Sequence, residues 1–313
     1  MPDISLITSL YRSDEHLPTY INAVEALARD LDLSLEVVIV ANDATESERH
    51  LLDTFAMTDT MQLTLVHCPR ETLYASWNRG IASASSEIMG FWNVDDLRTV
   101  EGLQIGYEHL SGSAELVDLA YEVREGARVR LYAPQYQPES LSPKACTAPF
   151  FMFHRDLYGR AGAFNAHFRI SGDYEWCKRP AVREGIFVRS DVIGGTFVQH
   201  GSNLSGGRNP RQHVEYAIAL LMNGGYHLLR PVDPALFRQV WAEWGEDAPD
   251  ALPEALDWLI GEEAEARYAD YEYYRQASVW EQRRLTWTAR LLGKPTPVER
   301  FQPPAKIKAQ ARS

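Results

Sequence analysis

Short apolar runs alternate with stretches of helical periodicity through the first hundred residues, and this alternation limits the possible folds more than any other feature. The apolar runs, which predict strands, cover 4–10, 35–41, 63–67 and 88–92. The helical stretches between them cover 13–27, 46–55 and 73–85. Such repetition predicts parallel strands joined by right-handed crossovers, with helices on both faces of the sheet. We therefore predict a Rossmann-like α/β fold with a mostly parallel sheet.

The remaining sequence divides into two parts. A proline-rich stretch at 133–149 predicts a connector or a lid over a cleft, and a helix is expected at 173–185. Two strands are expected after it, at 186–189 and 192–198. Beyond residue 209 the periodicity is helical throughout. The predicted organisation is a catalytic domain at 1–208, with a nucleotide-binding half at 1–98 and an acceptor half at 99–208, and a helical C-terminal region at 209–313 with a basic tail.

Charge is distributed unevenly along the chain. The formal net charge is -12, which argues against a nucleic-acid partner because phosphate backbones are bound by basic surfaces. Residues 283–313 nevertheless carry eight Lys or Arg and one Glu. This tail suits either a solvated terminus or an anionic partner. The aromatic residues of the C-terminal region also suit a homo-oligomer interface, or peripheral contact with an anionic membrane.

The cysteines and the first residues indicate the compartment. Cys68, Cys146 and Cys177 are odd in number and lack the spacing of a metal site or a disulfide framework, which favours a reducing environment. No signal-peptide pattern and no apolar run of membrane-spanning length is present. We expect a cytoplasmic protein, either free or peripheral at the inner face of the membrane.

Polar residues follow the predicted strands at the ends where such sheets bind ligands. The fourth strand is followed by the adjacent carboxylates Asp95 and Asp96. Hard divalent cations prefer oxygen ligands and reach a diphosphate through one or two carboxylates. The run therefore predicts a metal and diphosphate site, although a helix cap at Asp96 would account for the same residues.

Four stretches, in this order and at this spacing, resemble the family 2 glycosyltransferases with the GT-A fold. They are residues 4–12, 38–45, 74–81 and 90–96. The resemblance implies a GT-A domain and the inverting transfer of a sugar from a nucleotide-sugar donor, most commonly a UDP-sugar. It further implies Mn²⁺ or Mg²⁺ as cofactor, an acceptor hydroxyl on a glycan, a lipid carrier or a protein, and a place in polysaccharide biosynthesis.

The resemblance also assigns residues to the donor side. Asp95 is the expected metal ligand, and His200 is expected to complete the metal shell or touch the diphosphate. The residues expected to contact the nucleotide are Thr8, Tyr11, Arg12, Asp43, Asn78, Arg79, Asn93 and Val94, with Asp96 as a further candidate. Two positions depart from the family, which commonly has Asp where this chain has Asn42 and Asn93.

On the acceptor side, the resemblance makes Asp173 the general base that takes the proton of the acceptor hydroxyl. Glu175 is the fallback base, and Trp176 is a candidate platform for the acceptor sugar. The family often has Glu where this chain has Gly172. A helix cap would also account for Asp173.

Ser202, Asn203 and Ser205 are candidate donors of hydrogen bonds to the phosphates of the sugar donor.

Two other functions share parts of this pattern. A sugar-nucleotide pyrophosphorylase would use a similar fold and metal, but its glycine-rich phosphate loop is missing after the first strand. A non-catalytic module that binds nucleotide sugars is compatible with the neutral residues Asn42, Asn93 and Gly172.

Overall fold

The structure is a computed structural model that describes residues 1–55, 61–201, 203–204, 209–305 and 307. The chain divides into two compact units, Met1–Gly206 and Gly207–Ser313. In its described part, the first unit contains a nine-stranded sheet with helices. The second unit is helical.

The amino-terminal half of the first unit is a parallel α/β arrangement, as the sequence predicts. Its strands are β1 (Ile4–Leu10), β2 (Leu35–Asn42), β3 (Met61–Cys68) and β4 (Ile88–Phe91). Its helices are α1 (Leu17–Asp30), α2 (Glu46–Thr54) and α3 (Leu73–Ser83). Every residue of β2 is buried, because a central parallel strand is covered on both faces. The order β3-β2-β1-β4 brings the carboxyl ends of these strands to one edge of the sheet.

The second half of the unit extends this sheet with strands of mixed direction. The strands are β5 (Leu97–Arg98), β6 (Leu116–Glu125), β7 (Arg128–Tyr132), β8 (Met152–His154) and β9 (Phe187–Val198). The helices are α4 (Val100–Leu110), α5 (Arg155–Ala161), α6 (Gly172–Lys178) and α7 (Pro180–Arg183). The order is β3-β2-β1-β4-β8-β6-β9-β5, with β7 paired to β6. Strands β6 and β9 are parallel, whereas β8 is antiparallel to both its neighbours.

Two predicted elements differ from the structure. The helix predicted at 173–185 is broken into α6 and α7, because Pro180 has no backbone N–H and Arg179 before it is extended (φ -63°, ψ 143°). The two strands predicted at 186–189 and 192–198 form the single strand β9, whose pairing with β6 is irregular after Leu119. This irregularity separates the two apolar runs in the sequence.

The second unit is built from helices, and four of the six α-helices described in it begin at a proline. The six are α8 (Pro210–Met222), α9 (Pro234–Trp244), α10 (Pro253–Ile260), α11 (Ala264–Gln276), α12 (Val279–Leu291) and α13 (Pro297–Arg300). Proline suits the first helical turn, where no N–H partner is needed. Helix α8 buries Val214, Ile218 and Leu221 on one face. Within the described residues of the chain, no helix combines the length and the apolar composition that a bilayer crossing requires.

A buried carboxylate on β6 fixes the proline-rich stretch 133–149. Asp118 is fully buried, and its oxygens accept hydrogen bonds from the backbone N–H of Gln135 (2.8 Å), Tyr136 (2.8 Å) and Ala148 (2.6 Å). Burial raises the pKa of this carboxyl, and the three N–H groups act in the opposite direction. The stretch is therefore held to the sheet near both of its ends.

Asp118→Ala is expected to lower the free energy of unfolding by about 3 kcal/mol, because three backbone N–H groups, two of them buried, lose their acceptor. Urea denaturation measures the change. Asp191→Ala, an exposed Asp on β9, is the matched control and should change stability little. Equal urea midpoints of unfolding for the two variants would show that Asp118 does not stabilise the stretch 133–149.

Candidate active site

The two adjacent carboxylates after β4 have different surroundings. Asp96 is buried, and its oxygens accept hydrogen bonds from Asn93 Nδ2 (2.9 Å) and from the backbone N–H of Val198 on β9 (3.0 Å). Burial, together with the neighbouring charge of Asp95, raises the pKa of Asp96 to about 7. Asp96 therefore joins the end of β4 to the end of β9. Its side chain is used in this contact and does not face a nucleotide, so its candidate role as a nucleotide contact is corrected.

Asp95 lies beside the residues that follow β9. Its Oδ2 is 2.8 Å from His200 Nε2 and 3.2 Å from Asn203 Nδ2. Asn203 also donates to the carbonyl of Val198 (3.1 Å) and accepts a hydrogen bond from the backbone N–H of His200 (2.5 Å). The imidazole of His200 stacks on that of His16, with ring centroids 5.2 Å apart. Three of the predicted residues thus form one cluster at the carboxyl end of β4.

The Asp95 and His200 pair has the chemistry of a divalent cation site. A carboxylate oxygen and an imidazole nitrogen are both ligands for Mn²⁺-type ions. Their separation of 2.8 Å is close to the roughly 3 Å between neighbouring ligands in an octahedral shell with bonds of about 2.1 Å. A second group, Glu87, His154 and Asp156, also has ligand atoms within 4.8 Å of one another. It lies near the amino end of β4, away from Asp95.

Tyr11, Arg12, Asp43 and Arg70 converge where β1, β2 and β3 end. Among the described residues, Arg12 (φ 48°) and Asp43 (φ 52°) are the two non-glycine residues with positive φ. Such backbone strain is often found in binding loops. The guanidinium groups of Arg12 and Arg70 lie 5.5 Å and 5.1 Å from the centroid of the Tyr11 ring, and Arg12 lies 4.0 Å from Asp43. An aromatic ring, two cations and a carboxylate therefore lie together at this edge, with the ring half-buried and the charged groups exposed.

The loop that carries Arg70 is held by Asn42. The Asn42 side chain donates to the carbonyl of Glu71 (3.0 Å) and accepts from its N–H (2.8 Å). The Glu71 carboxylate in turn accepts hydrogen bonds from Arg79 Nε (3.0 Å) and Arg79 Nη2 (2.8 Å). This pairing raises the pKa of Arg79 and lowers that of Glu71. Arg79 is thus exposed and at the site, but it is already paired with an acid.

Asp173 lies in the first turn of α6, next to α3. Its Oδ1 accepts hydrogen bonds from the hydroxyl of Tyr74 (3.0 Å) and from the backbone N–H of Tyr174 (2.8 Å). Because Tyr74 is in the first turn of α3, which follows β3, Asp173 is at the same sheet edge as Asp43 and Asp95. A Cβ on Gly172 would lie 2.7 Å from the Tyr74 ring.

Comparison with known proteins identifies the family. The model of glycosyl transferase family 2 matches residues 5–172, more than half of the chain. The chain belongs to this family. The matched residues end immediately before Asp173. No curated protein sequence matches the chain significantly.

Solved structures of glycosyltransferases have the same fold. Residues 1–349 of TarS from S. aureus, in complex with UDP-GlcNAc, are 13% identical, with a TM-score of 0.55 over 93% of this chain and 92% of that one. The mannosyltransferase PcManGT from Pyrobaculum calidifontis, in complex with GDP-Man and Mn²⁺, is 17% identical, with a TM-score of 0.50 over 99% and 85%. The chain is therefore a glycosyltransferase with the GT-A fold, as the four sequence stretches predict.

Two predicted nucleotide contacts are corrected by the structure. Thr8 is 1% exposed, and its hydroxyl bonds to the carbonyl of Trp92 (2.7 Å) and the hydroxyl of Tyr20 (2.6 Å). Asn78 donates to the carbonyl of Phe164 (2.7 Å) and accepts from the N–H of the same residue (2.9 Å). Both side chains therefore join parts of the protein to each other. Val94 packs partly against the core, and Asn93 donates to Asp96.

Two acceptor-side predictions are corrected as well. Glu175 is 2% exposed. Its carboxylate accepts hydrogen bonds from Nε (2.9 Å) and Nη2 (2.7 Å) of Arg179, the residue after α6, so it is already paired with a cation. Trp176 is fully buried among aromatic rings, and its Nε1 donates to the carbonyl of Gly162 (3.0 Å). A buried ring cannot serve as a platform for a sugar. The candidates Ser202 and Ser205 lie outside the described residues.

Three residues of the site, Arg70, His16 and Tyr74, are not among the predicted site residues, although Tyr74 begins one of the four family-like stretches. Arg70 follows β3 as Asn93 follows β4, so the strand-end rule could have found it. His16 and Tyr74 carry no such signal, because their importance depends on contacts with His200 and Asp173, more than ninety residues away in the sequence.

Gly172→Ala is expected to lower the melting temperature, because the new methyl group would collide with the ring of Tyr74. The matched variant is Gly159→Ala, which is also in a helix. A Cβ added at Gly159 would have no atom within 4 Å. This control should gain stability, since alanine favours helices by up to about 1 kcal/mol over glycine. Thermal unfolding of both variants measures the contrast. A Gly172→Ala protein as stable as the control would rule out the close packing.

Proposed function

We propose that the chain transfers a sugar from a nucleoside diphosphate donor to an acceptor hydroxyl, with a divalent cation held by Asp95 and His200. The observation that carries this proposal is the 2.8 Å approach of Asp95 Oδ2 to His200 Nε2 at the carboxyl end of β4. The fold supports it, because parallel α/β sheets bind their ligands at this edge. Mn²⁺ or Mg²⁺ is the proposed ion.

The nucleoside is proposed to bind at the ends of β1 and β2. The ring of Tyr11 with Arg70 offers a flat, cationic surface for a base. The carboxylate of Asp43 can accept hydrogen bonds from a ribose or a base, and Arg12 adds positive charge near the phosphates. This assignment places the donor in residues 1–98, and a UDP-sugar is the proposed donor. The TarS and PcManGT structures contain nucleotide sugars.

The metal site is proposed to act on the leaving group. A bound divalent ion would neutralise charge that develops on the diphosphate. Asp95 supplies the anionic ligand, and Asn203 orients it through a 3.2 Å hydrogen bond. His200 supplies a neutral nitrogen, and its stacking on His16 limits rotation of the ring.

Asp173 is the proposed general base on the acceptor side. Its carboxylate takes the proton of the acceptor hydroxyl as that oxygen forms a bond to the anomeric carbon. The bond from this carbon to the diphosphate oxygen breaks, and its electron pair leaves with the nucleoside diphosphate. Attack from the face opposite the leaving group inverts the anomeric centre. Tyr74 orients the carboxylate through its 3.0 Å hydrogen bond. The acceptor hydroxyl is proposed to belong to a glycan, a lipid carrier or a protein.

Asp95→Ala is expected to abolish Mn²⁺-dependent release of nucleoside diphosphate from nucleotide sugars, because the anionic metal ligand is removed. The assay measures the nucleoside diphosphate over a panel of donors with Mn²⁺, Mg²⁺ and chelator. Asp53→Ala, at an exposed position of α2, serves as the control and should retain the wild-type rate. Turnover by Asp95→Ala at the control's rate would contradict the metal site.

Asp173→Asn is expected to reduce transfer roughly 100-fold or more, because an amide cannot accept the acceptor proton. Binding of nucleoside diphosphate should stay unchanged, since Asn keeps the oxygen that accepts from Tyr74 and Tyr174. Calorimetry gives the affinity, and product formation gives the rate. Asp156→Asn, in the first turn of α5, is the matched control. Loss of nucleotide affinity in Asp173→Asn with chemistry intact would move Asp173 to the donor side.

A further inference from the structure

Helix α12 exposes large apolar side chains along its whole length. None of its residues is buried. The exposed fractions are 66% for Val279, 71% for Trp280, 64% for Trp287 and 65% for Leu291. Scattered apolar residues are normal on protein surfaces, but a contiguous group of this kind marks an interaction site.

Three of these side chains, Trp280, Trp287 and Leu291, share one face of the helix, and arginines flank them. At about 100° per residue, Trp280 and Trp287 project along nearly the same line, and Leu291 lies one turn beyond Trp287. Arg283 and Arg290 project to one side of that line and Arg284 to the other. The opposite face is half-buried and includes Gln282, whose amide donates to the carbonyl of Tyr274 on α11 (3.0 Å). An aromatic centre with cationic borders therefore points outward.

Two of the three arginines on this face form no ion pair within 4 Å in the described part of the chain, although the charge of Arg290 acts on Glu299. Arg284 pairs with Glu281 at 2.5 Å. In the part of the chain that the structure describes, no acid lies within 4 Å of Arg283 or Arg290. These two arginines line a surface cavity of about 440 Å³ together with Tyr274, Val279, Gln282, Thr286 and Trp287. The apolar surface thus borders a recess between α11 and α12 whose two arginines suit an anionic group.

We propose that the outward face of α12 docks on an anionic lipid bilayer. Tryptophan is favoured at the membrane interface, where its ring is apolar and its N–H remains polar. Arginines beside such rings attract anionic headgroups, and a helix of this composition lies in the plane of the interface. Residues 283–313 are basic, whereas the whole chain has a formal net charge of -12, so electrostatic attraction to an anionic surface favours this region.

A second copy of the chain fits this face less well. Two-fold symmetric contacts place the same surface patch on both sides of the interface. Pairing α12 with α12 would therefore bring the arginines of one copy against those of the other, with few acids to compensate. An anionic lipid surface satisfies the same arginines without this repulsion.

Vesicle flotation with the full-length protein tests the proposal. Vesicles of phosphatidylcholine alone are compared with vesicles that also contain phosphatidylglycerol. Wild-type protein should float with the anionic vesicles, shift its Trp fluorescence to shorter wavelength, and dissociate as salt is added. Arg283→Gln with Arg290→Gln should weaken binding roughly 25-fold, since each charge near an anionic surface contributes about a fivefold factor. Trp280→Ser with Trp287→Ser should abolish binding.

Matched variants distinguish binding through this face from non-specific binding to vesicles. Val129→Ser with Leu131→Ser removes exposed apolar residues from β7, and Arg29→Gln with Arg49→Gln removes exposed cations from α1 and α2. Both should bind vesicles as wild type does. The proposal is overturned if wild type does not bind anionic vesicles or if the α12 variants bind equally well. It is also overturned if light scattering shows a dimer that Trp280→Ser with Trp287→Ser dissociates. These readouts do not depend on sugar transfer, so they stand apart from the proposed function.

Discussion

The buried carboxylate of Asp96 connects two segments that are 102 residues apart in the sequence. Through Asn93 it fixes the turn after β4, and through the backbone of Val198 it fixes the end of β9. Asp95 projects from the first of these segments and His200 from the second. The proposed metal site therefore depends on this contact together with the pairing of β5 and β9, because the two hold the segments that carry the ligands side by side.

The parallel half of the sheet could be predicted because its signals are local. Continuous apolar runs, such as the one in β2, predict strands covered on both faces, and the rule for ligands at strand ends then selects Asp43 and Asp95. The direction in which a polar side chain points is not local. Thr8 and Asn78 occupy expected positions in the sequence, but their hydrogen bonds run to Tyr20 and Phe164. Pro180 ends one helix and begins the next, because a proline disfavours helical geometry in the residue before it, whereas the apolar periodicity continues across the break.

Residues that depart from the family pattern are matched to their neighbours in this structure. Asn42 bonds to both the N–H and the carbonyl of Glu71. A carboxylate could accept from that N–H but could not donate to the carbonyl. At Gly172, the space that a side chain would need is occupied by the ring of Tyr74. Tyr74 also orients Asp173, so the small residue and the proposed base are linked through the same tyrosine.

Asn93 also makes a contact that the usual family residue could not make, and its neutral side chain limits the negative charge beside Asp95 and Asp96. Its amide donates to Asp96 at 2.9 Å, a bond that an ionised Asp at this position could not provide. An acid there would also add a third carboxyl group beside Asp95 and Asp96, and like charges at this distance repel one another. Asp96 is turned towards Asn93 and the backbone of Val198, whereas Asp95 faces His200. The neutral residue thus leaves a single carboxylate facing His200, which is the arrangement that the proposed cation site uses.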